Sequence, residues 1–523
     1  MKKLLCFAIF ILIFISGEAQ SAGTFNIRDF GAKGEKSEVA TKFIQQAIDQ
    51  CAATGGGKVY FPPGEYLSGA LELKSNVSIY LEAGAVIYAS LNPDDYDVPG
   101  KENRYRNPVL IYADGAENIT IEGKGKIDGQ ARRIWAPIKE HDNFIQVETE
   151  IARKAGVEMS GFSKVEPHTF MVFLVNCKNV TVRDITLYES CNWTLHMQWC
   201  KQAFINHVSI FSSLTEGVNA DGIDIDGCSD VIISDCFIET GDDAIVLKST
   251  LSKGKSQPCE NVTVTNCILT STSTALKIGT ETYSDFRHIL FNNCVIRNSN
   301  RGLSIVVRDG ATVSDVKFSN ITLELNRKHF NWWGNADPIW LVVLKRNENS
   351  KVGTIKNITF DNISGNCQGT SRIEGFPGSP IENIRMNNLK FTLNPESLPD
   401  KRATHGFIAH DVKGLSITDF DLVWNEQSTE PRRGSAFSFE NIEDLWLGKI
   451  SCRQAPGKLN PAIQLVNVKN GIAERCYAYP GTKTFFEISG NKTQSLLFRD
   501  NYLEKAEKAT SILPEVVKHT IKK

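Results

Sequence analysis

VIISDCFIETGDDAIVLKSTLSKGKSQPCENVTVTNCILTSTSTALKIGTETYSDFRHILFNNC, residues 231–294, carries the pattern on which the fold turns. Three times an apolar–x–apolar–x run ends on Asp or Asn: VIISD at Asp235, VTVTN at Asn266 and ILFNN at Asn293. Each run alternates with period two, as a half-buried strand does. β-Branched residues are frequent in it, which suits a pleated surface. The closing Asp or Asn can bond local backbone groups and turn the chain, and a second apolar strand follows.

The unit continues in both directions. VTVRD ends at Asp184 upstream; VKFSN ends at Asn320, ITFDN at Asn362, IRMNN at Asn388 and LSITD at Asp419 downstream. Weaker copies lie near His207, Lys449 and Asp500. Successive steps from Asp235 are 31, 27 and 27 residues, and the step from Asn320 to Asn362 is 42, which leaves room for an inserted loop. No helical pattern separates the units, so a βαβ arrangement is disfavoured. A coil of this length with two or three short strands is one turn of a solenoid. The fold expected is all-β: a right-handed parallel β-helix. An antiparallel sandwich or propeller would show hairpin turns such as Asn-Gly, and these turns lack them.

Four segments are expected. Residues 1–22 read as an export signal, with Lys2 and Lys3 before an apolar run from Leu4 to Ile15 and small residues at Gly17 and Ala19. The run is short for a bilayer span. Residues 23–105 read as an N-terminal cap and first coils. Within them Thr41 to Ala53 form an amphipathic helix with Phe43, Ile44, Ala47, Ile48 and Cys51 on one face, ended by Gly55-Gly56-Gly57. Residues 106–505 read as the β-helix, with inserted loops near 132–166 and 326–347; the second carries Trp332, Trp333 and Trp340. Residues 506–523 read as a C-terminal tail.

Composition excludes some functions. Net charge is −2 over 523 residues, so no basic field argues for nucleic acid. No segment after the leader is apolar enough to span a membrane. The chain is expected to be exported, to the periplasm or outside a bacterial cell, and to act as a monomer. Of 13 cysteines, Cys236, Cys267 and Cys294 follow the same strand pattern and read as stacked core thiols rather than disulfides. No CxxC pair supports structural zinc.

The chemical signal is Asn219-Ala220-Asp221-Gly222-Ile223-Asp224 followed by Gly241-Asp242-Asp243. Asp221 and Asp242 are 21 residues apart, close to one coil. Adjacent rungs can therefore bring three or four carboxylates together. Crowded carboxylates raise one another's pKa, so one can stay protonated. An acid paired with a carboxylate is what glycosidic cleavage needs. On spacing alone, calcium ligands or solvated turn aspartates remain alternatives.

These residues resemble glycoside hydrolase family 28, the polygalacturonase and rhamnogalacturonase family, over nearly the whole mature chain. DFGAKG, GGGKVYFPPGEY, IDGQ (residues 127–130), Trp193-Thr194-Leu195-His196, Asn219-Ala220-Asp221 and Gly241-Asp242-Asp243 carry the resemblance. It implies an inverting hydrolase of pectic oligo- or polysaccharide without metal or organic cofactor. Asp242 would be the general acid, and Asp221 and Asp243 would hold and deprotonate the water. Inversion is expected to separate the carboxyls by roughly 6.5–9.5 Å.

Two family motifs are altered. The Gly-His-Gly segment aligns with Ser273-Thr274-Ala275, and the Arg-Ile-Lys segment with Ser304-Ile305-Val306. Losing those cations removes charge-assisted bonds to a leaving-side uronate, so a neutral sugar such as rhamnose fits better there. Asn219, Lys248, Lys277, Thr274, His196 and Arg308 are the candidate substrate-binding residues. Lys248, Lys277 or Arg308 would meet a uronate carboxylate elsewhere, or stay solvated. His196 would bond substrate, orient an aspartate or be a satisfied structural histidine. Two other readings use the same fold. One is a calcium-dependent eliminase with Arg308 as base; the other is a non-catalytic polysaccharide-binding β-helix.

Overall fold

The computed structural model describes residues 23–96, 108–135, 143–157, 169–328, 334–517 and 521–522. The leader, Trp332 and Trp333 lie outside the described residues. Every pairing between the named strands is parallel, and each strand pairs with its counterpart one coil later. Three strands make a coil: Leu195–Gln198, Lys201–Asn206 and Ser209–Phe211 are followed by Ile223–Asp226, Ser229–Ser234 and Phe237–Thr240. The chain is a right-handed parallel β-helix, as the repeat predicts.

The repeated Asp and Asn residues explain the turns. Asp184, Asp235, Asn266, Asn293, Asn320, Asn362, Asn388 and Asp419 all take φ between 53° and 59°. His207, Lys449 and Asp500, the weak copies, sit at φ 52°, 54° and 53°. This left-handed region is tolerated best by Gly, Asn and Asp. The side chains also ladder between coils: Asn266 donates to Asp235 at 3.3 Å, Asn320 to Asn293 at 3.2 Å, and Asn362 to Asn320 at 2.8 Å. One residue type thus closes the turn and ties it to the next.

Inside, like stacks on like. Phe291, Phe318 and Phe360 are fully buried, with ring centroids 4.8 and 5.1 Å apart. The twelve cysteines from Cys51 onward are buried and free. At the N-terminal end, Thr41–Ala53 is a helix whose Ile44, Ala47, Ile48 and Cys51 are buried and which packs on strands Gly23–Asn26 and Gly57–Phe61. The thiols and the cap are therefore as the sequence indicates.

The inserted segments hold more structure than their loop reading implies. Asn143–Lys154 is a helix within 132–166. Ile339–Val343, within 326–347, is a strand paired with Arg301–Val307 and Ser371–Glu374. The expected tail supplies strand Ala506–Ile512, paired with Thr482–Ser489, because the last coil still offers an open edge of backbone donors and acceptors. Among the described residues no helix is long and apolar enough to cross a membrane.

Candidate active site

One outward face gathers the acids. Ile223 is registered with Ile245, and Ile245 with Leu276. Two residues before each of these, Asp221 and Asp243 in the turns leading into their strands and Thr274 at the start of its own fall in a column. Backbone bonds fix it: Gly222 N–H donates to Asp243 O at 2.9 Å, and Ala244 N–H to Thr274 O at 3.0 Å. Glycine is required at the tight corners. A Cβ on Gly241 would lie 2.4 Å from Ser213 O, and one on Gly222 2.4 Å from Ala244 O.

Asp221, Asp242 and Asp243 present oxygens that all lie within 4.8 Å of one another. This convergence is tighter than the wide separation expected for an inverting pair. Two ammonium groups make it tolerable. Lys277 Nζ lies 2.5 Å from Asp243 Oδ2, and Lys248 Nζ lies 3.7 Å from Asp221 and 3.8 Å from Asp224. Three clustered carboxylates are a possible cation seat. Calcium, however, takes six to eight oxygens, and a divalent ion here would face both ammonium groups at close range. The donor set suits internal ion pairing better than calcium.

The three acids differ in surroundings. Asp242 is the most exposed, at 6% against 2% for Asp221 and 1% for Asp243. Asp242 accepts the Asn219 N–H at 3.1 Å and the Asp243 N–H at 2.9 Å. Burial, and next the charge of Asp243, still push it up to about 6. Burial, then the charges of Asp224 and Asp242, raise Asp221 well above the usual carboxylate range. Its Oδ1 has no hydrogen-bond partner. Asp243 accepts from Ser273 Oγ at 2.9 Å, the Thr274 N–H at 3.1 Å and Lys277 Nζ. Such acceptor-only bonding is what an ionised carboxylate offers.

Most of the other candidates act on the acids or on each other. Asn219, at φ 60°, holds Asp242 through its backbone N–H and, at 3.4 Å, its side-chain amide. Thr274 is fully buried, so its N–H serves Asp243 while its side chain stays beneath the surface. His196 is 4% exposed, stacked on Phe173 at 4.3 Å and 3.2 Å from Asp226 Oδ2. Burial lowers its pKa, so it packs as a neutral ring. Lys248 is 4% exposed and sits 4.5 Å over the Trp193 ring, 3.3 Å from Glu281. Burial alone would lower the Lys248 pKa, but Glu281, Asp221 and Asp224 outweigh it and raise it. Lys248, Arg346 and Lys277 in turn overcome burial to hold Glu281 down to about 2. Arg308 is different: it is half-buried, its Nε has no hydrogen-bond partner, and no described carboxylate lies within ion-pair distance.

Sequence reading placed Asp224 in the acidic motif without giving it a role, and missed Glu281 and the cluster beyond Thr274. There Arg301 lies 4.1 Å and Arg372 4.9 Å from the Trp340 ring, and both pair with Asp337 at 3.2 and 3.3 Å. Asp224 alternates with the buried Ile223 and Ile225, and that alternation on the strand could have flagged it as facing outward. Arg372 and Asp337 come from coils more than 90 residues away and carry no local signal. Ser304 and Val306, where the family's cations align, are fully buried.

Fold and site together define a β-helical glycosidase, with stacked carboxyls on one outward face and neutralising lysines behind them. The chain belongs to the glycosyl hydrolases family 28, whose model matches residues 51–405. It is 27% identical to an endo-polygalacturonase of Pectobacterium carotovorum subsp. carotovorum over 68% of this chain and 85% of that protein. It is 26% identical to an exopolygalacturonase of Zea mays over 66% and 77%. The solved exopolygalacturonase of Thermotoga maritima superposes with a TM-score of 0.60 at 21% identity, covering 77% of this chain and 92% of that one. The chain hydrolyses glycosidic bonds as its family does.

Proposed function

We propose that this enzyme hydrolyses a galacturonate-containing pectic polysaccharide with inversion, and that the sugar on the leaving side is neutral, as rhamnose is in rhamnogalacturonan. The observation that carries the reading is the convergence of Asp221, Asp242 and Asp243 with no cation at Thr274, Ser304 or Val306. Asp242, the outermost acid, gives its proton to the glycosidic oxygen as the bond from that oxygen to the anomeric carbon breaks. A water held by Asp221 and Asp243 attacks the anomeric carbon from the opposite face and gives its proton to Asp243. The products are the two saccharides on either side of the cut, and the net consumption is one water. In this reading the water sits among the three acids, and their convergence within 4.8 Å stands in for the wide two-carboxylate spacing.

The cations sort the sugars. Arg301 and Arg372 are both engaged by Asp337, and Arg372 also by Glu374 at 3.5 Å, so two carboxylates already face the two arginines on the side of the site beyond Thr274. Arg308, with an unpaired guanidinium, is the group assigned to a uronate carboxylate. Exported residence is part of the same reading, since pectic polymers lie outside the cell.

Initial rates on rhamnogalacturonan and on polygalacturonate, with identification of the products, test the assignment. Faster cleavage of rhamnogalacturonan is expected; faster cleavage of polygalacturonate would reject the neutral leaving sugar. A chelator-sensitive rise in absorbance from an unsaturated product would replace hydrolysis with elimination.

A further inference from the structure

Lys277 lies in strand Thr274–Thr282, between Leu276 and Ile278, which are fully buried. Those two anchor the strand from inside and leave Lys277 on the outer face. Its ammonium does not point to solvent. It lies 2.5 Å from Asp243 Oδ2, and only 12% of the side chain is exposed. The other oxygen, Oδ1, is held by Ser273 Oγ at 2.9 Å and the Thr274 N–H at 3.1 Å. Both oxygens of Asp243 are therefore held by groups from the next coil.

We propose that Lys277 is a positioning residue, which fixes the Asp243 carboxylate toward the attacking water and does not bind substrate. The inference rests on Asp243 as the group that takes the water's proton. An ammonium has donors only, so it cannot take that proton itself. It can lock the rotation of a carboxylate held otherwise at one oxygen alone. It also offsets the repulsion between Asp243 and its neighbours. The charged groups facing this pair are Asp221, Asp242 and Asp224 from the earlier coils, Lys248 and Glu281 along the face, and Arg301 from the next coil. Misplacing a reacting group by about 1 Å can cost roughly 100-fold in rate.

The test uses Lys277→Met, Lys277→Gln and Lys277→Arg on whichever pectic substrate the unmodified enzyme cleaves. Lys277→Met and Lys277→Gln are expected to lower kcat by about 100-fold with KM within about twofold, and Lys277→Arg to recover part of kcat. In a second arm, Lys277→Met is placed in an Asp242→Asn background and oligosaccharide binding is measured by calorimetry. Unchanged Kd is expected. A Kd weakened tenfold or more, with kcat preserved at saturation, would make Lys277 a substrate ligand and overturn the proposal. Wild-type kcat in Lys277→Gln would overturn it equally. Failure of the broader functional reading is separate: the unmodified enzyme would then cleave none of the pectic substrates.

Discussion

Asp242 shares a raised pKa with Asp221 and is set apart by its exposure. It is the outermost of the three and its pKa is lifted to about 6. A general acid must enter the reaction protonated, so kcat/KM is expected to fall as pH rises through about 6; a profile flat from pH 5 to 8 would remove Asp242 from that role. Asp242→Asn keeps the shape but not the proton. It is expected to lower kcat by roughly 10²–10⁴-fold while binding changes little, since the acid acts in the transition state. Arg308→Gln should do the reverse: a KM higher by about tenfold on a uronate-containing substrate, from loss of one charge-assisted bond, with kcat near normal. Steady-state kinetics separate the two patterns. Asp221, Asp242 and Asp243 were legible in the sequence because 21 residues is close to one coil and because the segments that carry them resemble those of the family; spacing alone left calcium ligands and turn aspartates open. The partners of Lys248 and Lys277 were not, since a lysine on an outward strand position reads as solvated until its neighbours from other coils are known. The burial of His196 and Thr274 was hidden for the same reason: burial is a property of the assembled coils.

The turn is the element that repeats, and it was the most legible feature. Asn and Asp at the end of each apolar run take the left-handed conformation, and Asp235–Asn266, Asn293–Asn320, Asn320–Asn362 and Asn362–Asn388 ladder between coils. Asn320 serves both functions, bonding Asn293 and accepting from Asn362. Asn320→Gly keeps the backbone conformation and loses the ladder, at a cost of about 1 kcal/mol. Asn320→Ala loses the ladder and adds left-handed strain of roughly 1–2 kcal/mol. Urea unfolding should therefore rank wild type above Asn320→Gly and Asn320→Ala lowest. Equal stability of the two variants would show that the turn residue is kept only for its side chain. Strands without such a turn were illegible: Ile339–Val343 sits inside a long insertion, and Ala506–Ile512 lacks clean alternation. Both exist because a neighbouring coil offers an unpaired edge.

At the scale of the molecule, the solenoid converts sequence distance into adjacency. Residues 221, 243 and 274 meet because each coil returns to the same face, and the same return stacks Phe291, Phe318 and Phe360 inside. Stability and site geometry therefore share one cause, and Phe318→Ala is expected to cost about 3–5 kcal/mol by denaturant unfolding. The period read from the turns gave the architecture, and the architecture gave the acid cluster; the substrate lies in the cations, which the period does not order. The most direct measurement of the central claim is proton NMR of the reducing end during the first minutes of digestion, before the anomers equilibrate. Water activated among the stacked aspartates predicts that the first product carries the anomeric configuration opposite to that of the bond cleaved. A first product with the original configuration would contradict direct attack by water and the roles assigned to all three acids.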